Sequence, residues 1–171
     1  MNKVLVISAS DSDLPVMQQA GKILEEFGVE YEITISSAHR SPDRTKELLI
    51  DAHVSGIKII ICAAGLAAHL AGVVAAHFPL PVIGIPLEGG SLKGLDALLA
   101  TVQMPSGIPV ATVGIGNAKN AGILAVQILA TSDKELEKKL IEYKNKLALG
   151  IEEKALKLDS LGLEKFLSEK K

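Results

Sequence analysis

Tyr31-Glu32-Ile33-Thr34-Ile35-Ser36-Ser37-Ala38-His39-Arg40-Ser41-Pro42-Asp43 carries the chain from one kind of structure into another. Tyr31 to Ile35 alternates apolar and polar side chains with β-branched residues, which reads as a strand. Ser41-Pro42-Asp43 reads as a helix start: Ser41 at the N-cap, Pro42 at the first helical position and Asp43 facing the positive end of the dipole. Helix-start chemistry accounts for Ser-Pro-Asp and leaves His39-Arg40 unexplained. In open α/β sheets, ligands bind at such strand-to-helix turns. Histidine is the side chain that gives and takes a proton near neutrality, and arginine offers a planar donor fork suited to phosphate or carboxylate.

The same strand-then-helix reading extends in both directions. Lys3 to Ser8 is a continuous apolar run, the pattern of a strand covered on both faces. The polar turn Ser8-Ala9-Ser10-Asp11-Ser12-Asp13 follows. Val16, Ala20, Ile23, Leu24 and Phe27 then form one face of a helix that Gly28 ends. Beyond the His-Arg turn, Thr45, Leu48, Leu49 and Ala52 face inward from a second helix closed by Gly56. Further strands are expected over 58–63, 81–86 and 110–113. Helices are expected after Ala64-Gly65-Leu66, over Leu95 to Val102 and over Asn120 to Ala130. A last amphipathic helix is marked by Leu136, Leu140, Tyr143 and Leu147, with weakly helical sequence beyond it. Strands alternating with helices predict an α/β fold, a three-layer α/β/α sandwich on a parallel sheet with added C-terminal helices.

Composition narrows the function classes. With 171 residues, 48% of them hydrophobic, the chain can bury a full core. Aromatics are only 3%, so helices pack on the sheet through small residues. A net charge of −2 without a basic stripe argues against nucleic acid as a partner. Residues 57–131 carry only Lys58, Glu88, Lys93, Asp96 and Lys119 as charges, whereas 132–171 carry 19. Prolines and glycines interrupt the apolar middle before any run of roughly 20 residues could span a bilayer. We read it as a buried heart that also self-associates. The lone Cys62 excludes a disulfide framework and points to a reducing cytoplasm, and no signal peptide is expected ahead of the first strand.

Three loops after three successive strands carry the polar groups of a binding site. In the first, Ser10, Ser12 and the amides of a helix start can hold a phosphate, and Asp13 can accept from ribose hydroxyls, although Asp13 before Leu14-Pro15 is also a fair N-cap. The second carries His39-Arg40. The third, Ala64-Gly65-Leu66, brings backbone amides close to a ligand. His69 follows it; a lone histidine in an apolar helix is more often a satisfied core residue than a catalyst. No metal or cofactor is expected. His69 and His77 stand about 12 Å apart along a helix, and no Cys pair, Walker loop, G-x-G-x-x-G or nucleophile elbow is present.

Four ordered motifs carry a resemblance: Ser10-Asp11-Ser12-Asp13, Ser37-Ala38-His39-Arg40-Ser41-Pro42-Asp43, Ala67-Ala68-His69-Leu70 and Gln103-Met104-Pro105-Ser106-Gly107-Ile108-Pro109-Val110. Over about Lys3 to Leu147 the chain resembles the N5-carboxyaminoimidazole ribonucleotide mutase (PurE) family of purine biosynthesis. The resemblance implies a flavodoxin-like domain, a homo-octamer whose sites draw on more than one subunit, and no cofactor. It implies an isomerase that moves a carboxylate from N5 to C4 of the aminoimidazole ribonucleotide, with His39 as general acid/base. Ser10, Ser12, Asp13, Ser37 and Arg40 would bind the ribose phosphate and carboxylate. Ala64, Gly65 and Leu66 would line the imidazole and carbon dioxide pocket, with His69 nearby. Arg40 and Ala67-Ala68-His69-Leu70 favour the mutase over the direct aminoimidazole ribonucleotide carboxylase. Ala9, Leu66 and Ala71 stand where the family commonly has Gly, Gly and Pro, and they are the features that would suit a non-catalytic nucleotide-phosphate binding protein. The expected organisation is one catalytic domain over 1–147 and a helical extension over 148–171 that packs on a neighbouring subunit or covers its own sheet.

Overall fold

The computed structural model describes residues 4–169; Lys3, expected to open the first strand, lies outside them. The strands are β1 (Val4–Ser8), β2 (Tyr31–Ile35), β3 (Ile59–Gly65), β4 (Val82–Leu87) and β5 (Ala111–Thr112). They form one parallel sheet in the order β2-β1-β3-β4-β5, the flavodoxin-like order. Between them run α1 (Leu14–Phe27), α2 (Pro42–Val54), α3 (Leu70–His77), α4 (Leu95–Val102) and α5 (Ala118–Ala130). The expected three-layer arrangement with helices on both faces is present.

Alternation along the strands divides the core. Leu5, Ile7, Ile60 and Cys62 point to one face, where they join Leu49 and Ala52 of α2, Leu70 and Val74 of α3 and Ala97 of α4. The intervening residues Val4, Val6, Ile59 and Ile61 are equally buried and face the other side. There α1 and α5 touch: a Cβ on Gly122 would stand 2.9 Å from the Ala20 carbonyl oxygen. On α1 the buried face uses Met17, while Val16 is only half-buried. Gly28 ends that helix at φ 73, its N–H bonded to the Glu25 carbonyl at 2.9 Å, and Val29 N–H reaches Leu24 O at 2.8 Å.

The bounds of β3 and β5 differ from expectation, each for a local reason. β3 continues through Ala64 and Gly65 because both pair with β4, against Pro86 and Leu87. β5 is confined to Ala111 and Thr112, since Pro109 has no N–H to donate and only these two residues pair with β4.

The chain groups into two compact units, one through Leu129 and one from Ala130. In the second, α6 (Lys134–Leu161) is capped by Asp133, whose carboxylate accepts from the N–H groups of Glu135 and Leu136 at 3.1 and 3.2 Å. The helix does not weaken past Leu147, because residues 148–161 are mostly strong helix formers. After Gly162, α7 (Leu163–Ser168) is tied to α6 by Lys157 and Glu169 at 2.7 Å. No helix among the described residues is long and apolar enough to cross a membrane.

Candidate active site

Because the sheet is parallel, the ends of β1, β2 and β3 open on the same edge, and the three loops expected to carry chemistry meet there. The first two are braced by their own hydroxyls. In the first, the buried Ser8 donates to Ser10 O at 2.7 Å. Ser10 Oγ accepts from Ser12 N and Ser12 Oγ, so Ser10 caps the single 3-10 turn over 11–13. Asp13 makes no capping bond to α1, which removes the competing reading of that residue. Burial instead pushes its carboxyl above the ordinary carboxylate value, against the opposing pull of the Ser12 hydroxyl and the Ser10 backbone. The carboxylate accepts from Ser12 Oγ at 3.3 Å and caps no helix, which leaves it facing the first loop.

In the second loop, Ser41 sits at the start of α2 but makes no side-chain cap bond to the helix. It turns back on Ser37, donating to its carbonyl at 3.1 Å and accepting from its N–H at 3.2 Å. Below this ring, Ser36 and Thr45 share a buried hydrogen bond of 2.8 Å. Thr45 is therefore a polar anchor on what reads as an apolar helix face. The tight turn projects His39 and Arg40 outward, both exposed. Arg40 folds over the first loop: Nη2 donates to Ala9 O at 3.0 Å and Nε to Ser37 Oγ at 3.4 Å. Both acceptors are neutral, so the guanidinium charge stays available to an anion. A shallow cleft of about 370 Å³ lies here, lined by Ser10, Ser37, Arg40 and their neighbours.

The third loop corrects one expectation. His69 is exposed at the start of α3 rather than satisfied in the core. Its Nδ1 lies 2.9 Å from His39 Nε2, with the rings 4.8 Å apart and inclined by 35°. One nitrogen donates and the other accepts, so the contact holds while at least one ring is neutral. Ala64 is nearly buried in β3, and Gly65 follows at the strand's end. Leu66 takes φ 55, a left-handed conformation that leucine seldom adopts. Ala9, by contrast, has no positive φ, so its turn accepts a Cβ. Ala71 is buried against the sheet near Gly84 and lies in the core rather than on a pocket wall.

Sequence reasoning missed the supports: the Ala9 carbonyl, the Ser41 ring and the Ser36–Thr45 pair. The surplus of serine and threonine at strand ends was the available signal. The Gln103–Val110 motif lies apart from these loops. Met104 stands where a Cβ on Gly72 would meet its sulfur at 3.2 Å, and Gly107 to Pro109 line an apolar cavity of about 590 Å³ with Phe78, Pro79 and Pro81. Among the described residues, no three His, Cys, Asp or Glu side chains come together as metal ligands would.

Comparison with known proteins places the chain in a family. The pattern of the family described as AIR carboxylase matches residues 3–149. An N5-carboxyaminoimidazole ribonucleotide mutase of Thermotoga maritima is 54% identical over 170 residues, covering 99% of each chain. A phosphoribosylaminoimidazole carboxylase of Candida glabrata is 53% identical over 165 residues, 96% of this chain but 29% of that longer protein. Among solved structures, Treponema denticola PurE superposes with a TM-score of 0.84 at 31% identity, over 91% of this chain and 97% of that one.

Proposed function

The chain belongs to the AIR carboxylase family, and from that premise we propose that it is a mutase of purine biosynthesis converting N5-carboxyaminoimidazole ribonucleotide to 4-carboxy-5-aminoimidazole ribonucleotide. What carries the proposal is convergence at one sheet edge: Arg40 joins the second loop to the first, and His39 joins it to the third. The relatives that match nearly end to end are named as mutases.

In this reading Ser10, Ser12, Ser37 and Arg40 bind the phosphate and carboxylate, and Asp13 accepts from the ribose hydroxyls. Ala64, Gly65 and Leu66 line the imidazole side. His39 protonates the exocyclic nitrogen as the N–C bond of the carbamate breaks and carbon dioxide leaves. C4 then attacks carbon dioxide, and His39 takes the C4 proton. One residue gives a proton and recovers one, so the step balances without a second base. Holding both fragments together supplies effective concentration. His69 orients the His39 ring through the 2.9 Å contact. We further propose a homo-octamer in which the helices beyond residue 147 pack on a neighbouring subunit. Exposed apolar residues support self-association, among them Leu92, Leu95, Leu99 and Val102 at α4. The buried, single thiol supports a cytoplasmic setting.

Purified protein given carboxylate-labelled substrate in unlabelled bicarbonate, without ATP, tests the reaction. Label kept in the C4 product is the expected result. Complete loss of label, with equal activity on aminoimidazole ribonucleotide and bicarbonate, moves the protein to direct carboxylation. Nucleotide binding without product makes it a binding protein.

A further inference from the structure

Arg44 follows Arg40 by four residues and carries a charge that the reaction steps do not use. It is exposed at the third position of α2, where a cation works against the helix dipole. Its side chain turns away from the helix to the end of β2: Nε donates to Ile35 O at 3.3 Å and Nη2 to Thr34 Oγ1 at 3.4 Å. Arg40 makes the corresponding reach to the chain just beyond β1, where Nη2 donates to Ala9 O at 3.0 Å. Ser8 of β1 is paired with Ile35 of β2, and paired strands stand about 4.8 Å apart. The two guanidiniums therefore sit over neighbouring strand ends. Ala9 and Ile35 both line the 370 Å³ cleft, so the residues that hold the two cations are walls of one space. The acceptors of Arg44 are neutral, as those of Arg40 are. A guanidinium has five N–H donors, and these contacts leave several of them open on each.

We propose that Arg44 is a second anion-binding residue of this cleft and holds the phosphate monoester of the substrate jointly with Arg40. The proposal rests on the mutase reading and deepens it. A phosphate monoester carries between one and two negative charges at neutral pH, and Arg40 alone brings one positive charge to it. Ser10, Ser12 and Ser37 add hydrogen bonds and no charge. Arg44 moves no proton, so its contribution is to affinity and not to the chemical step. The bonds to Ile35 and Thr34 hold the guanidinium at the cleft before a ligand arrives, which lowers the entropy lost on binding.

Calorimetry with 4-carboxy-5-aminoimidazole ribonucleotide and with the corresponding nucleoside, which lacks only the phosphate, tests the assignment. Arg44→Gln removes the charge and keeps a donor for the Ile35 carbonyl. It should weaken the nucleotide roughly 10-fold, the scale of one hydrogen bond between charged groups, and leave the nucleoside unchanged. Arg44→Lys should recover part of the loss, since it restores the charge without the planar fork. In turnover, Arg44→Gln should raise KM and leave kcat near the wild-type value. Added salt should narrow the difference between the two proteins. If Arg44→Gln does not fold, the smaller loss expected of Arg44→Lys, confined to the nucleotide, decides the matter. Equal weakening of nucleotide and nucleoside overturns the proposal and makes Arg44 a clamp on the end of β2; no weakening of either overturns it and makes Arg44 a surface charge. Both outcomes leave the mutase reading standing. Wild-type protein that binds neither compound overturns that reading together with the proposal.

Discussion

Asp13 is held where its own charge is unwelcome, and that has a measurable sign. Its carboxyl is raised above 3.8 by burial, so the folded state binds the proton more tightly than the unfolded chain. The stability it contributes is full below the unfolded value and is lost as pH rises through the folded one. Asp13→Asn should therefore raise the melting temperature at neutral pH, with the gain vanishing on acidification below about 3.8, while weakening nucleotide binding. Thermal melts at several pH values check this; equal melting at neutral pH would show that burial places no penalty on the charge. At His39 the expectation concerns rate. His39→Asn should lower kcat by roughly 100-fold to 10,000-fold, the usual worth of a general acid/base, with nucleotide still bound. Activity above a few per cent would remove His39 from that role. His69→Ala should cost less, on the order of 10-fold to 100-fold, as misplacement of another group does.

At the scale of elements, stability rests on polar anchors and close approaches that hydrophobic periodicity does not reveal. Thr45→Val would remove the partner of the buried Ser36 hydroxyl. Urea unfolding should show a loss of about 1–3 kcal/mol, the cost of a buried unpaired polar group. The turn that projects His39 and Arg40 should loosen with it, so kcat should fall as well. Gly122→Ala would press a Cβ to 2.9 Å from the Ala20 carbonyl and 3.0 Å from Ile23 Cβ. Neither neighbour is a flexible chain end, so α1 and α5 must separate, and overpacking of this kind costs about 1–3 kcal/mol. In β3, burial pushes the Cys62 thiol far above its ordinary range. Native protein should leave a thiol reagent unreacted until it unfolds.

For the whole molecule, the decisive quantity is apolar surface left uncovered by one chain. Leu95, Leu99 and Val102 are each about half exposed along α4, a row of apolar side chains of the kind that marks an interaction surface. Light scattering should give a mass near eight times that of the chain, and Leu99→Glu should lower it. A wild-type monomer that is fully active would remove both the octamer and any shared site. At this scale the sequence was most legible where its periods were regular. The runs at β1, β3 and β4 and the face of α1 were readable because burial on both sides demands continuous apolar residues, and burial on one side demands a helical repeat. The end of β3 was less legible, since Ala64 and Gly65 suit a turn as well as a strand and pairing with Pro86 and Leu87 settles it.

The sequence by itself determined the alternation of strands and helices, the parallel sheet and the identity of the loops that carry polar groups, because each follows from local periodicity and turn chemistry. His39 and Arg40 were legible for the same reason: capping explains their neighbours and not them. Tertiary structure decided what those groups touch. His69 reads as a core residue along the chain, and only the β1–β3 and β1–β2 pairings bring its ring to within 2.9 Å of His39, thirty positions away. Asp13 reads as either a ribose acceptor or a helix cap, and only the fold shows that its side chain makes no capping bond to α1. Contacts between residues far apart in sequence depend on strand order and register, and these are set by the packing of the whole sheet rather than by any one segment.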